Sequence, residues 1–250
     1  MIERIKEIAI TAGAEILKIY NDPTTDFGVE MKSDDSPLTI ADQKSNDVIV
    51  KALSSEFPEI PILSEEEAHQ DYETRKTWTK FWCVDPLDGT KEFIKKNGEF
   101  TVNIALIENG IPVLGVIHVP VKNVTYWGDE HGAFKSEEGN VKKITTRNRG
   151  EEVVAVRSKS HASEEEEVVL TKYGVTDSIS VGSSLKFCMV AEGKADVYFR
   201  FGPTMEWDTA AGQAIVQAAG GKVFQGDREE NVFSYNKENL RNGSFLCLGL

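Results

Sequence analysis

Two apolar, β-branched runs, residues 100–107 (F-T-V-N-I-A-L-I) and 111–119 (I-P-V-L-G-V-I-H-V), are separated only by Glu108-Asn109-Gly110. Asn-Gly between such runs is a strong short-range hairpin signal, because both residues accept the positive φ that a tight, correctly twisted turn needs. A third β-rich run at 124–127 extends the hairpin into an antiparallel meander. Such a sheet has to bury at least one face. Residues 2–20 place Ile5, Ile8, Ala9, Ala12, Ile16 and Leu17 on one side at helical spacing. Residues 39–57 do the same with Ala41, Val48, Ile49, Ala52 and Leu53, until Pro58 stops the helix.

Between the helices and the meander lie two short apolar runs, 60–63 and 81–84. The first is followed at once by S-E-E-E and the second by D-P-L-D-G-T. Beyond Arg147 the pattern alternates. Strands are expected at 153–156, 179–181, 197–199 and 245–248, and helices near 162–172, 184–192 and 208–219. The expected fold is a layered α/β protein with two halves. Residues 1–147 form the more antiparallel half and 148–250 the alternating one.

Composition excludes several classes. No stretch approaches the ~20 apolar residues of a membrane span, and M-I-E-R-I-K-E does not read as a secretory signal. Cys83, Cys188 and Cys247 sit in apolar runs without paired spacing, so they read as buried thiols in a reducing cytoplasm. A net charge of −13 argues against a nucleic-acid polymer as partner. If the substrate is itself anionic, something has to reverse the sign locally, and carboxylates gathered around divalent cations do that.

The acidic motifs stand where a rigid strand gives way to an accessible loop, a good place for chemistry. Asp85 and Asp88 bracket Pro86-Leu87, and Gly89 permits close backbone approach of a ligand. Convergent carboxylates favour hard cations such as Mg²⁺, Mn²⁺ or Ca²⁺. Taken singly, each motif keeps a plainer reading: D-P-L-D-G as an acidic surface turn, and Asp208 in W-D-T-A-A-G as a helix cap.

Together, I-L-S-E-E, W-C-V-D-P-L-D-G-T-K-E-F, G-E-F-T-V-N-I-A-L-I and W-D-T-A-A-G resemble the inositol monophosphatase superfamily of metal-dependent, lithium-sensitive phosphatases, in the right order over residues 37–221. The resemblance implies an α-β-α-β-α sandwich holding two or three Mg²⁺ per active site, with Mn²⁺ as a substitute. Glu65, Asp85 and the Leu87 carbonyl would bind one ion; Asp85, Asp88 and Asp208 would bind the second. Gly89 and Thr90 would offer N–H groups to the phosphate, and Thr90 with Asp42 would orient and deprotonate the attacking water. Glu65 would share in catalysis through its ion, with Glu66 and Glu67 as bystanders.

A finer resemblance, carried by S-K-S-H-A and G-S-S-L-K-F-C-M-V-A-E-G-K-A-D-V-Y-F-R-F-G-P-T, is to the bacterial-type 3′(2′),5′-bisphosphate nucleotidases. Lys159 stands in S-K-S-H where these often have Arg, with Arg157 nearby. The implied reaction converts adenosine 3′,5′-bisphosphate to AMP and phosphate, clearing a by-product of sulfate assimilation. The phosphate that survives needs cations away from the metals. Ser183, Lys186 and Arg200 would hold it, with His161 against the adenine. Lys91, Lys95 and Lys96 read equally as added positive potential or as a solvated run. The alternative is an inositol or sugar phosphate phosphatase, which asks for an acid that reaches sugar hydroxyls; Glu206, two residues before Asp208, is placed for it. Monomer and homodimer both stay open, as does a peripheral association with the inner membrane.

Overall fold

The computed structural model describes residues 1–24, 26–31, 37–148, 150–158 and 164–249. The chain opens with α1 (Ile2–Asn21), a short ladder of β1 (Glu30–Met31) with β2 (Pro37–Leu38), and α2 (Ile40–Glu56). Then come β3 (Ile62–Ser64), the single turn α3 (Tyr72–Arg75), β4 (Lys80–Asp88) and the short α4 (Thr90–Ile94). The meander follows as β5 (Thr101–Glu108), β6 (Ile111–Val119), β7 (Val124–Asp129), β8 (Gly132–Glu137) and β9 (Asn140–Ile144). The seven strands β3 to β9 lie side by side in chain order, antiparallel except for β3 with β4. At the predicted turn Asn109 and Gly110 have φ of 49° and 77°, the two-residue geometry that the Asn-Gly pair requires.

The second sheet is built from β10 (Val153–Arg157), β11 (Val175–Ser180), β12 (Val197–Arg200), β14 (Lys222–Gln225) and β16 (Phe245–Leu248). Its order is β11-β10-β12-β16-β14. Connecting elements are α5 (Glu164–Lys172), α6 (Leu185–Ala191) and α7 (Glu206–Ala218), with a small ladder of β13 (Thr204–Met205) on β15 (Arg241–Asn242).

Period-two alternation sorts the strand residues between layers. Trp82, Val84, Val102 and Ile104 face α1 and α2, while Phe81, Cys83, Ala105 and Ile107 face α6 and α7. The far side of α6 and α7 packs on the second sheet, whose other face takes Val169 and Leu170 of α5. The order of layers is therefore α-β-α-β-α, as expected. All three cysteines are buried and free, and no helix among the described residues is long and apolar enough to cross a membrane.

Several elements depart from the sequence expectation. Strands β8 and β9 were not predicted, because K-S-E and N-V-K-K are charged runs without apolar alternation, and one of their charges, Lys135, even takes a buried position. The strand expected at 179–181 runs over Val175–Ser180 instead, and α7 starts two residues before Asp208.

Two glycines let the middle layer close. A Cβ on Gly115 would come within 2.4 Å of the Ala211 carbonyl oxygen, so α7 lies directly on β6. A Cβ on Gly212 would sit 2.4 Å from the Phe187 ring, so the last residue of W-D-T-A-A-G is what lets α6 meet α7. Gly212→Ala is expected to destabilise the fold by about 2 kcal/mol through overpacking. A urea titration showing an unchanged midpoint would contradict this account of the helix contact.

Candidate active site

The site is assembled where β3 and β4 end and α7 begins. In β4 the pairing with β5 joins Asp85 to Asn103 and then Asp88 to Thr101, three residues against two. That extra residue is a bulge. In a regular strand Asp85 and Asp88 would point to opposite faces; the bulge restores them to the same one. Pro86 suits this place, since it has no N–H to pair, and its carbonyl accepts a 2.6 Å bond from Ser45 Oγ. Glu65 follows β3 and extends the parallel pairing through its N–H to the Val84 carbonyl at 3.1 Å. Asp208 lies in the first turn of α7, where one carboxylate oxygen accepts from the Met205 N–H at 2.7 Å. It is thus a capping residue as well as a member of the site.

Carboxylate oxygens of Glu65, Asp85 and Asp208 all lie within 4.8 Å of one another. Asp85 is 1% exposed. One of its oxygens accepts from the Leu87 N–H at 3.1 Å, and the other, Oδ2, is buried without a hydrogen-bond partner. Burial, then the charges of Glu65, Asp88 and Asp208, hold the Asp85 carboxyl well above the usual range. Burial, then Asp88 and Glu65, do the same to Asp208. Acids crowded in this way, one with an orphaned oxygen, fit a hard divalent cation.

Asp88 stands beside this group but is engaged elsewhere. Its Oδ2 accepts from Ser183 Oγ and from the Ser184 N–H, each at 2.6 Å. The predicted phosphate contact Ser183 therefore spends its hydroxyl on Asp88, from a backbone held at φ 54°.

Asp42 and Thr90 are in contact. Thr90 Oγ1 donates to Asp42 Oδ1 at 3.1 Å, and Asp42 Oδ2 takes the Thr39 N–H at 2.8 Å and its hydroxyl at 2.5 Å. Asp42 is thereby locked by the cap of α2, and burial pushes its carboxyl up to about 6. Gly89, at φ 93°, turns the chain into α4 and lines the cleft beside it.

The cleft is lined by Asp88 and Asp208 and by Lys186 and Arg200. Lys186 is 6% exposed, not a solvated helix residue. Its ammonium donates to the carbonyls of Ser183 at 2.8 Å and Val181 at 3.3 Å, and burial pulls it down to about 8. The Arg200 Nε is buried without a hydrogen-bond partner, so no salt bridge closes on that atom. Lys91 lines the cleft too, whereas Lys96 lies over the rings of Tyr20 and Phe27. His161 falls outside the described residues.

The model of the "Inositol monophosphatase family" matches residues 1–245. The chain belongs to that family. A protein of Salmonella typhimurium named 3′(2′),5′-bisphosphate nucleotidase CysQ is 49% identical over 246 residues, 98% of each chain. The crystal structure of CysQ from Bacteroides thetaiotaomicron, described as a bacterial member of the inositol monophosphatase family, superposes with a TM-score of 0.85 at 47% identity. It covers 97% of this chain and 94% of the other. An inositol monophosphatase from Anabaena is more distant, with a TM-score of 0.75 at 25% identity and coverage of 99% and 89%. Within the family, the chain is of the CysQ type.

One reading is corrected. Glu206 does not reach the cleft of this inositol monophosphatase relative. It is fully buried, and its carboxylate takes the N–H groups of Asn236 (2.8 Å) and Lys237 (2.9 Å) and the Lys237 ammonium (2.7 Å). Those bonds pin the start of α7, and the acid asked of a sugar-hydroxyl contact is spent on them. Other residues of the site were not singled out from sequence. Glu92, Tyr198 and Thr204 line the cleft. Glu92 and Tyr198 stand inside quoted motifs and Thr204 at the end of one, but nothing in a linear string shows which of their faces turns inward.

Proposed function

We infer that this chain is a 3′(2′),5′-bisphosphate nucleotidase that converts adenosine 3′,5′-bisphosphate to AMP and phosphate with the help of Mg²⁺. The observation that supports it is a cleft lined by the acids Asp88 and Asp208 together with the cations Lys186 and Arg200, where Asp208 also belongs to the carboxylate cluster with Glu65 and Asp85. A substrate with two phosphates fits such a combination, one group for hydrolysis and one for anchoring. In this reading residues 1–147 supply most of the metal ligands, and 148–250 supply Asp208 and the nucleotide contacts.

Glu65, Asp85 and the Leu87 carbonyl would hold one ion, and Asp85, Asp88 and Asp208 a second. Mg²⁺ bound there supplies a nucleophile at neutral pH and offsets charge on the phosphoryl oxygens. The chain's own groups do the rest. Asp42 fixes the Thr90 hydroxyl, and the pair orients the attacking water and takes its proton. The N–H groups of Gly89 and Thr90 steady the phosphate under attack. Lys186 and Arg200 bind the phosphate that remains, Arg as a fork and Lys as a point charge, with Ser183 beside them in the cleft and its hydroxyl held by Asp88. His161 is proposed to lie against the adenine. Lithium sensitivity, a place in sulfate assimilation and a cytoplasmic location belong to the same proposal.

Phosphate release from adenosine 3′,5′-bisphosphate and from inositol 1-phosphate, side by side with Mg²⁺ and with EDTA, tests it. Mg²⁺-dependent preference for the nucleotide is the expected result. Preference for the inositol ester would keep the carboxylate site and overturn the anchoring role of Lys186 and Arg200.

A further inference from the structure

Asp85 and Asn103 oppose each other directly across β4 and β5. Paired residues of antiparallel strands carry their side chains on one face, roughly 5 Å apart at Cβ. Asn103 is 1% exposed. Its Oδ1 accepts from Thr101 Oγ1 and from Ser184 Oγ, each at 2.9 Å. Its Nδ2 has no hydrogen-bond partner among the described residues, and neither has Asp85 Oδ2. A buried donor without an acceptor thus stands across from a buried acceptor without a donor. Buried polar atoms seldom stay unpaired unless they serve a purpose. Turning the amide over would aim its carbonyl oxygen toward the carboxylate, so the two hydroxyls and Asp85 together favour the N–H end toward β4.

We propose that Asn103 is a positioning residue, whose Nδ2–H holds the Asp85 carboxylate in the orientation it offers to a cation. The inference rests on the metal-site reading given above. The terminal torsions of Asp and Asn are soft, so the two facing side chains are free to turn toward one another. A ligating carboxylate that is itself hydrogen-bonded keeps its lone pairs aimed, and removing such support typically costs 10–100-fold in metal affinity. The same amide reaches Asp88. Ser184 Oγ donates to Asn103 Oδ1, and the N–H of the same Ser184 donates to Asp88 Oδ2. Asn103 is thereby the middle of a buried polar chain linking two of the acids.

The test uses Mn²⁺ as probe, with free ion counted by electron paramagnetic resonance and unfolding followed separately in EDTA. Asn103→Leu is expected to weaken Mn²⁺ binding about 10–100-fold. Ser184→Ala, which removes one donor to Oδ1 and leaves Nδ2 in place, is expected to bind close to wild type. A purely structural Asn103 would give the opposite signature, a lower melting temperature in EDTA with Mn²⁺ affinity unchanged, and that result overturns the proposal. If the Leu variant does not fold, the wild-type protein decides. Its Asn103 side-chain amide proton, observed in ¹⁵N-labelled protein, should move downfield on Mg²⁺ saturation, and no movement overturns the proposal. Wild-type protein that binds no Mn²⁺ at all would sink the metal-site reading and this inference with it.

Discussion

Asp85→Asn is expected to remove Mg²⁺-dependent phosphate release while leaving the protein more stable than wild type in EDTA. The loss follows from its place: Asp85 is the buried member of the group whose oxygens lie within 4.8 Å, and in the proposed arrangement it would help to hold both ions. Metal-assisted hydrolysis draws several kcal/mol from such ions, so a fall of about a thousandfold or more is expected. The gain in stability has a separate cause. Asp85 carries a buried carboxylate with one oxygen unpaired, and an amide there can still accept from the Leu87 N–H without the cost of a buried charge. The sign with pH follows. Burial and the neighbouring acids raise the folded-state pKa of Asp85 well above the ordinary carboxyl value. The folded protein therefore holds a proton that the unfolded chain releases above about pH 4. Stability from this group is present at low pH and is lost as pH rises. The variant should accordingly match wild type near pH 4 and exceed it at pH 7, by about 2–4 °C in Tm for each kcal/mol gained. Melting curves in EDTA at the two pH values check this, and a lower Tm for the variant at pH 7 would refute the account of a strained acid cluster.

The second large effect is a change of specificity. Arg200→Leu and Lys186→Met are each expected to lower kcat/KM for adenosine 3′,5′-bisphosphate by about 10–150-fold, the equivalent of one charged hydrogen bond of about 1.5–3 kcal/mol. Hydrolysis of a substrate with a single phosphate should be little affected, because neither side chain is among the proposed metal ligands. Burial pulls the Lys186 ammonium down to about 8, so its charge is held below that pH and fades above it. The wild-type KM for the bisphosphate should then climb above pH 8, and a flat KM across that range would remove Lys186 from the phosphate site. An equal loss on both substrates would mean that these variants damage the fold around Ser183 and Val181, whose carbonyls Lys186 holds, and not the anchoring of a second phosphate.

Much of this molecule is legible without coordinates. The meander is written in its Asn-Gly turn and β-rich runs, and the two N-terminal helices in their apolar spacing, because these signals are local. Backbone twist, φ preferences and a 3.6-residue period act within a few residues of one another. Even the acids could be found, since strand ends are recognisable as places where apolar runs stop. Charged, half-exposed strands such as β8 and β9 were not recognisable. Their burial depends on what lies beneath the sheet and not on their own alternation.

What the sequence by itself determined is the set of elements and the identity of the groups available for chemistry: Asp42, Glu65, Asp85, Asp88, Thr90 and Asp208, with Lys186 and Arg200. Only the tertiary structure decided how they are used. The bulge that puts Asp85 and Asp88 on one face is a count of residues against the partner strand, and no single strand contains that count. Glu206 and Asp208 are two letters apart and read alike, yet one is consumed by Asn236 and Lys237 while the other opens on the cleft. Asp88 meets Ser183 and Ser184 across 95 and 96 residues. The physical reason is common to all three. A buried polar group takes its role from whichever partners satisfy or abandon it, and those partners arrive from distant parts of the chain only when the layers close.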